Sequence, residues 1–438
     1  MGWRAIVSSA IWDPVEIISR EEMAALQAER LRDCLARLAA RVPFYREKLG
    51  AMDVAPEDVR SPDDLAGLPF TVKQDLRDNY PYGLFAVSMD DVVRLHASSG
   101  TSGKMTVVGY TANDIDMWAD LAARALRTAG VDRQDIIHVA YGYGLFTGGL
   151  GLHYGGERLG ATVVPASTAN ARRQIEMAQD FGATVLCCTP SYSLFIREQA
   201  AEGEGNLSKL RLGIFGAEPW SEEMRAEIEA RFSITALDIY GLSEVIGPAV
   251  SMECQYKQGL HLAEDHFIPE VIDPSTGEPL PDGEVGELVF SCVTKEALPL
   301  LRYRTGDLAM LNHEQCLCGR TTARMSKPLG RTDDMLIIRG INVFPAQIEA
   351  ELLRTDGLEP HYELLLERGE SRMDDLTIRV EASEELYRDG DSAYAAGRKL
   401  MMSLQSRLGV GCRVEVLAPK QLPRSEGKAV RIVDNRQV

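Results

Sequence analysis

The sequence predicts an α/β protein: a large N-terminal domain of βαβ subdomains plus a β-rich lobe (residues 1–330), then a small α+β C-terminal domain (331–438). Three observations carry that expectation. Between residues 135 and 240 short apolar runs alternate with helix-length amphipathic patterns, which implies parallel βαβ units with helices on both sheet faces. After Gly241 the helical patterns thin out and extended runs are parted by turns such as Pro281-Asp282-Gly283. Beyond Gly330-Arg331-Thr332-Asp333-Asp334 a self-contained mixture of strand and helix fills about a hundred residues, an ordinary domain size.

In chain order, residues 16–50 read as helix, with Met23, Leu26, Leu31, Leu35 and Leu38 on a recurring face and Pro43 as the break. Residues 53–69, polar and proline-containing, are expected to meander over the surface. Residues 92–110 read as two β-branched strands around a small-residue loop, Ser98-Ser99-Gly100-Thr101-Ser102-Gly103-Lys104. Its glycines permit a tight curl, and its hydroxyls and lysine offer donors without bulk, which suits a polyphosphate. A Walker A loop needs Gly-Lys-Ser/Thr running into a helix, whereas Lys104 precedes Met105 and an extended run. Taken alone the loop reads as an ordinary hairpin connection. Thr111 and Asp114 have capping-box spacing, Ile115, Trp118, Leu121, Ala122 and Ala125 share one face, and Gly130 ends that helix.

Strands are expected next at 136–140, 162–165, 183–188, 210–215 and 234–240, with helices at 169–181, 191–201 and 221–232 and a glycine-rich segment at 141–156. The β-rich lobe is assigned strands at 250–254, 266–272, 286–291 and 300–303. In the last domain strands are expected at 335–338, 363–367, 376–380 and 413–417, and helices at 345–353 and 392–408.

Composition narrows the function. A formal charge of −18 argues against a nucleic-acid or anionic-membrane partner, since both need a basic face. No run approaches the roughly 20 apolar residues of a membrane span. Asp13, Glu16, Glu21 and Glu22 make the N-terminus a poor signal peptide, so a cytoplasmic location is expected. Eight dispersed cysteines do not form a disulfide framework. Cys254, His261, Cys316 and Cys318 could complete a tetrahedral structural Zn²⁺ site, or be four unrelated side chains. Cys187, Cys188, His138 and His153 read as core residues, and the acidic residues between 349 and 367 as solvated.

Three further segments could carry chemistry. Asp238-Ile239-Tyr240-Gly241-Leu242-Ser243-Glu244 ends a strand, where open α/β sheets bind ligands, and Glu244 could hold Mg²⁺. Leu301-Arg302-Tyr303-Arg304-Thr305-Gly306-Asp307 offers a carboxylate for a ribose diol, and Pro423-Arg424-Ser425-Glu426-Gly427-Lys428 offers a lysine. Singly these read as a loop carboxylate, a turn aspartate and a surface cation.

In this order and spacing the segments resemble the acyl-adenylate-forming enzymes, the superfamily of acyl-CoA synthetases, luciferases and peptide-synthetase adenylation domains. They are most similar to its phenylacetate–CoA ligase family. Residues 11–14, 41–46, 98–110, 141–151, 215–220, 330–344 and 422–431 carry the likeness, with Ser102 where threonine is common. The resemblance implies ATP, Mg²⁺ and coenzyme A as reactants, a small aryl acid as partner, a mobile C-terminal domain and a homodimer. It implies that Ser98 to Lys104 cradle the β- and γ-phosphates and that Glu244 holds the metal. Gly216, Ala217, Glu218 and Pro219 would line adenine, with Asp238, Tyr240 and Gly241 near its edge. Asp307 would bind ribose, Arg331 ribose or phosphate, and Lys428 would bridge carboxylate and α-phosphate, with Asp333 as hinge. Tyr141, Phe146, Gly149, Ala217, Ile246 and Pro248 would surround the acid, although Tyr141 and Phe146 could equally be core. Rival expectations are AMP transfer to a non-CoA acceptor such as a deazaflavin, a benzoate- or indoleacetate-type ligase, and a nucleotide sensor without turnover.

Overall fold

The computed structural model describes residues 11–98, 105–203, 205–332, 336–338, 341–368, 374–424 and 431–436. Helix α1 (Arg20–Arg41) starts at Ser19, whose hydroxyl accepts from Glu22 N while the Glu22 carboxylate accepts from Ser19 N, so two orphan donors are satisfied reciprocally. Pro43 opens α2 (Pro43–Ala51), and a short α3 (Lys73–Asp78) follows. Strands β1 (Arg94–Ser98) and β2 (Thr106–Tyr110) pair antiparallel with Ser98 opposite Thr106. The loop residues Ser99, Gly100, Thr101, Ser102, Gly103 and Lys104 lie outside the described residues. Helix α4 (Ala112–Thr128) begins on the expected Thr111–Asp114 capping box and buries Trp118, Leu121, Ala122 and Ala125.

The centre is a nine-stranded sheet. Its parallel part contains β3 (Ile136–Val139), β4 (Thr162–Val164), β5 (Val185–Cys188), β6 (Leu212–Gly216) and β7 (Thr235–Leu242), in the order β4-β3-β5-β6-β7. Helices α5 (Gly148–Leu159), α6 (Ala171–Phe181), α7 (Pro190–Glu202) and α8 (Glu222–Phe232) make the crossovers. Helix α5 arises largely within the glycine-rich segment, to which the sequence assigned neither helix nor strand. Glycine lowers helix propensity, but here it permits contact: a Cβ on Gly155 would sit 2.5 Å from the Ala122 Cβ on α4. Tertiary packing therefore decides this element.

The strands after Gly241 make the expected β-rich part and are shared between two sheets. Strands β8 (Gly247–Glu253), β9 (Leu260–Leu262), β13 (Leu311–Asn312) and β14 (Arg324–Met325) extend the nine-stranded sheet beyond β7. The hairpin that turns the chain back needs Gly241, whose Cβ would lie 1.9 Å from the Gly247 carbonyl oxygen. A second sheet has the order β10-β11-β12-β15, with β10 (Phe267–Ile272), β11 (Gly286–Cys292), β12 (Tyr303–Ala309) and β15 (Gly330–Arg331). Strand β12 starts where the expected 300–303 strand was to end. Arg302 is the cause: φ of 44° kinks the chain, and its buried guanidinium binds Glu270 and the carbonyls of Ala66 and Leu68.

The C-terminal part has β16 (Leu336–Ile338), β17 (Ile341–Val343), α9 (Pro345–Leu353), β18 (Leu358–Arg368), β19 (Asp374–Ala382), α10 (Glu384–Arg388), α11 (Gly390–Leu408), β20 (Arg413–Leu417) and β21 (Ile432–Asp434). It has its own core, including Leu352, Leu364, Ile378 and Leu400. Glu349 and Glu351 were expected in solvent and are buried. Glu349 accepts from Ser221 N (3.2 Å) and Tyr362 Oη (3.2 Å) and pairs with Arg431, so its charge is compensated where it is desolvated. Among the described residues no helix is long and apolar enough to cross a membrane.

The α4–α5 contact yields a test. On an exposed helix Gly→Ala stabilises by about 1 kcal/mol. Gly155→Ala should instead destabilise by about 1–3 kcal/mol, because the methyl overpacks Ala122. Urea denaturation showing unchanged or increased stability would contradict that packing.

Candidate active site

The carboxyl ends of β3, β5, β6 and β7 surround a cavity of about 510 Å³. Open α/β sheets bind ligands at this edge because successive strand ends leave a crevice there. Tyr141, Phe146, Ala217 and Pro248 line it, with Thr147, Thr189 and Ser243 as polar points and Ser98 at the end of β1. Tyr141 Oη donates to the Cys188 carbonyl (2.6 Å), which fixes its ring, and burial raises its pKa so that it stays a phenol. Phe146 is 56% exposed and so is not a core residue. Ala217 holds φ of 69°, a strained conformation for alanine, directly after β6. Two expected wall residues lie elsewhere. Gly149 faces Tyr143, whose ring a Cβ there would meet at 2.8 Å, and Ile246 is fully buried in the core beside Tyr110 and Trp118.

Three of the expected nucleotide residues, Tyr240, Asp307 and Arg331, are linked to one another. Asp307 on β12 accepts from Tyr240 Oη (2.6 Å) through one oxygen and from Arg331 Nη1 (2.8 Å) through the other. Glu218 accepts from Ser191 N (2.8 Å), tying the segment after β6 to the start of α7. Asp238 does not line the cavity: its carboxyl accepts from Trp220 Nε1 (2.9 Å), and burial pushes its pKa up to about 7 against the opposing fields of Lys327 and Arg225. Glu244 is nearly buried, and its carboxylate has no hydrogen-bond or ion-pair partner among the described residues. A carboxylate without a direct partner at a strand end is a group that fits a cation. Asp333 and Lys428 lie outside the described residues.

Sequence reasoning missed Lys295. It is fully buried, with Nζ 3.4 Å from the Glu244 carbonyl oxygen and 4.6 Å from the Tyr110 ring centroid, and burial lowers its pKa. Periodicity gives no hint that a lysine after an exposed-looking strand end turns inward. Asp114 was also underread: besides capping α4 it accepts from Glu296 N (2.7 Å) and Ala297 N (2.9 Å), which docks Lys295's loop on the start of α4.

The four-residue Cys/His set comes together although His261 and Cys318 are 57 positions apart in the chain. All four ligand atoms lie within 4.8 Å of one another. Cys254 Sγ and Cys316 Sγ are 3.7 Å apart, and Cys318 Sγ is 3.3 Å from His261 Nε2. Two thiolates at about 2.3 Å from a tetrahedral zinc are about 3.8 Å apart, so the spacing fits that ion. His261 Nδ1 lies 3.1 Å from Thr322 Oγ1, which leaves Nε2 for the centre. Hydrogen bonds from Cys254, then Cys316, push the Cys318 thiol down.

Comparison with known proteins places this architecture. Residues 22–293 match the family model of AMP-binding enzymes, and residues 340–436 match the AMP-binding enzyme C-terminal domain. The chain is therefore an AMP-binding, adenylate-forming enzyme. Phenylacetate-coenzyme A ligase of Escherichia coli (strain K12) is 49% identical over 438 residues, covering 99% of each chain. That of Thermus thermophilus is 48% identical over 440 residues, covering 97% of this chain and 99% of the other. Within the adenylate-forming class the chain belongs to the phenylacetate–CoA ligase family. A solved 2-hydroxyisobutyryl-CoA ligase in its postadenylation state, bound to R3-HIB-AMP, superposes with a TM-score of 0.92 at 26% identity, covering 98% of this chain and 93% of that one. The same ligase in its thioesterification state, with 2-HIB-AMP and CoA, gives 0.72 at the same coverage. The chain therefore superposes better on the postadenylation state of that ligase than on its thioesterification state.

Proposed function

We propose that this chain converts phenylacetate, ATP and coenzyme A into phenylacetyl-CoA, AMP and pyrophosphate through an acyl-adenylate. The observation that carries the reading is the cavity itself: a flat aryl acid fits between Tyr141, Phe146 and Ala217, and Ser98 closes the end from which ATP would approach. Family membership supplies the reaction type. A cytoplasmic location and a homodimeric state belong to the same reading, on the strength of the resemblance.

In the first half-reaction a carboxylate oxygen attacks an α-phosphate that is already anionic. Glu244 would hold Mg²⁺ on the phosphates, which neutralises part of their charge. Asp307 would hold the ribose hydroxyls, oriented by Tyr240 and Arg331. Lys428 would bridge carboxylate and α-phosphate; an ammonium there gains strength as charge shifts in the transition state, the condition for raising rate rather than only binding. Rotation of residues 331–438 about Asp333 would then withdraw Lys428 and admit the CoA thiol, which attacks the acyl carbon and releases AMP.

Product analysis tests the reading. Phenylacetate, ATP–Mg²⁺ and CoA should give equal amounts of phenylacetyl-CoA, AMP and pyrophosphate. Lys428→Ala should cut adenylation by at least ~10²-fold, while supplied phenylacetyl-adenylate plus CoA still gives thioester. ADP in place of AMP, or AMP conjugated to another acceptor, would overturn the ligase reading.

We also propose that Cys254, His261, Cys316 and Cys318 hold a structural Zn²⁺, on the tetrahedral spacing of their ligand atoms. The metal would staple the sheet edge to the segment where Arg320 pairs with buried Glu16. Purified protein should carry about one zinc per chain, and Cys316→Ser should lose metal and thermal stability together. Metal-free protein of equal stability would refute the site.

A further inference from the structure

Helix α7 and the C-terminal domain meet across a half-buried cluster of charge. At its centre the Arg424 guanidinium is shared by two carboxylates. On its own domain, Nη1 and Nη2 donate to the Glu381 oxygens at 2.9 and 2.8 Å. Across the interface, Nε and Nη2 donate to the Glu198 oxygens on α7, both at 3.2 Å. Glu381 is 1% exposed and also accepts from Lys420 N (2.9 Å) and Leu422 N (2.6 Å), so it fixes the whole segment leading to Arg424 onto β19. That anchor travels with the domain. Glu198 does not.

Other ion pairs cross the same boundary, Arg231–Glu359 and Arg354–Glu223 among them. The Arg424–Glu198 pair is set apart by burial, with side chains 13% and 22% exposed against 46% for Arg354, so water screens it least. It is also set apart by position, since Arg424 precedes Lys428 by four residues. His361 lies against the same carboxylate, Nε2 3.8 Å from Glu198, and burial keeps it neutral, so it does not compete for the charge.

We infer that Glu198 is a positioning residue for adenylation: through Arg424 it holds the C-terminal domain in the orientation seen here. The inference rests on the two-step reaction proposed above. The shared guanidinium suits a contact made and broken in every cycle. When the domain leaves, Arg424 keeps Glu381 and Glu198 returns to water, so neither side is left as a buried unpaired ion. A pair with a single carboxylate would cost far more to open.

The test separates the half-reactions in Glu198→Gln, an isosteric change at a partly exposed position of α7. Phenylacetate-dependent ATP–pyrophosphate exchange should fall roughly tenfold, the scale of one charge-assisted hydrogen bond. Thioester formation from supplied phenylacetyl-adenylate and CoA should be unchanged or faster. Glu198→Asp, which keeps the charge with a shorter reach, should fall between wild type and Glu198→Gln. Raising salt should depress wild-type exchange more than that of Glu198→Gln. Unchanged exchange in Glu198→Gln, or equal loss in both half-reactions at an unaltered melting temperature, would overturn the assignment. Wild type lacking both half-reactions would instead overturn the ligase reading itself.

Discussion

The structure turns on the Asp307 carboxylate. One oxygen takes the Tyr240 hydroxyl from the nine-stranded sheet and the other takes Arg331 from β15, the last strand before the C-terminal domain. Three parts of the chain, far apart in sequence, therefore meet on one nearly buried charge. Charge-assisted bonds of this kind contribute about 1.5–3 kcal/mol each, and removing one partner leaves a desolvated charge uncompensated. The constraint places β12 against the strand ends, and with it the ribose end of the proposed nucleotide site against the aryl cavity.

Close packing of small residues does the complementary work. Gly155 lets α5 lie directly on α4, and Gly241 lets β8 fold back along β7. Tyr141, Phe146 and Thr147 line the cavity at the strand ends beside Thr189 and Ala217. Lys295 and Asp114 tie the loop after β11 to the hairpin and the start of α4.

The parallel strands, the capped helix after the hairpin and the Cys/His set were legible in the sequence because each depends on local spacing or on a distinctive residue type. What was not legible depends on partners distant in the chain. Helix α5 is hidden by its own glycines, whose purpose appears only beside Ala122. The start of β12 is displaced by Arg302, whose conformation is held by Glu270 and by carbonyls of a segment more than two hundred residues earlier. Glu349 looked like solvated charge because nothing nearby in sequence announces Arg431 or Ser221. Strands β9, β13 and β14 are two or three residues long, too short for periodicity to register. Of the residues expected to surround the acid, Tyr141, Phe146, Ala217 and Pro248 line the cavity, while Gly149 and Ile246 do not.

The most direct measurement is nucleotide binding and stability in Asp307→Asn, which keeps the shape of the side chain and removes its charge. If this carboxylate joins the sheets to the ribose site, ATP affinity should fall by at least roughly tenfold and the unfolding free energy by about 1–3 kcal/mol. Wild-type ATP affinity together with wild-type stability would contradict that role.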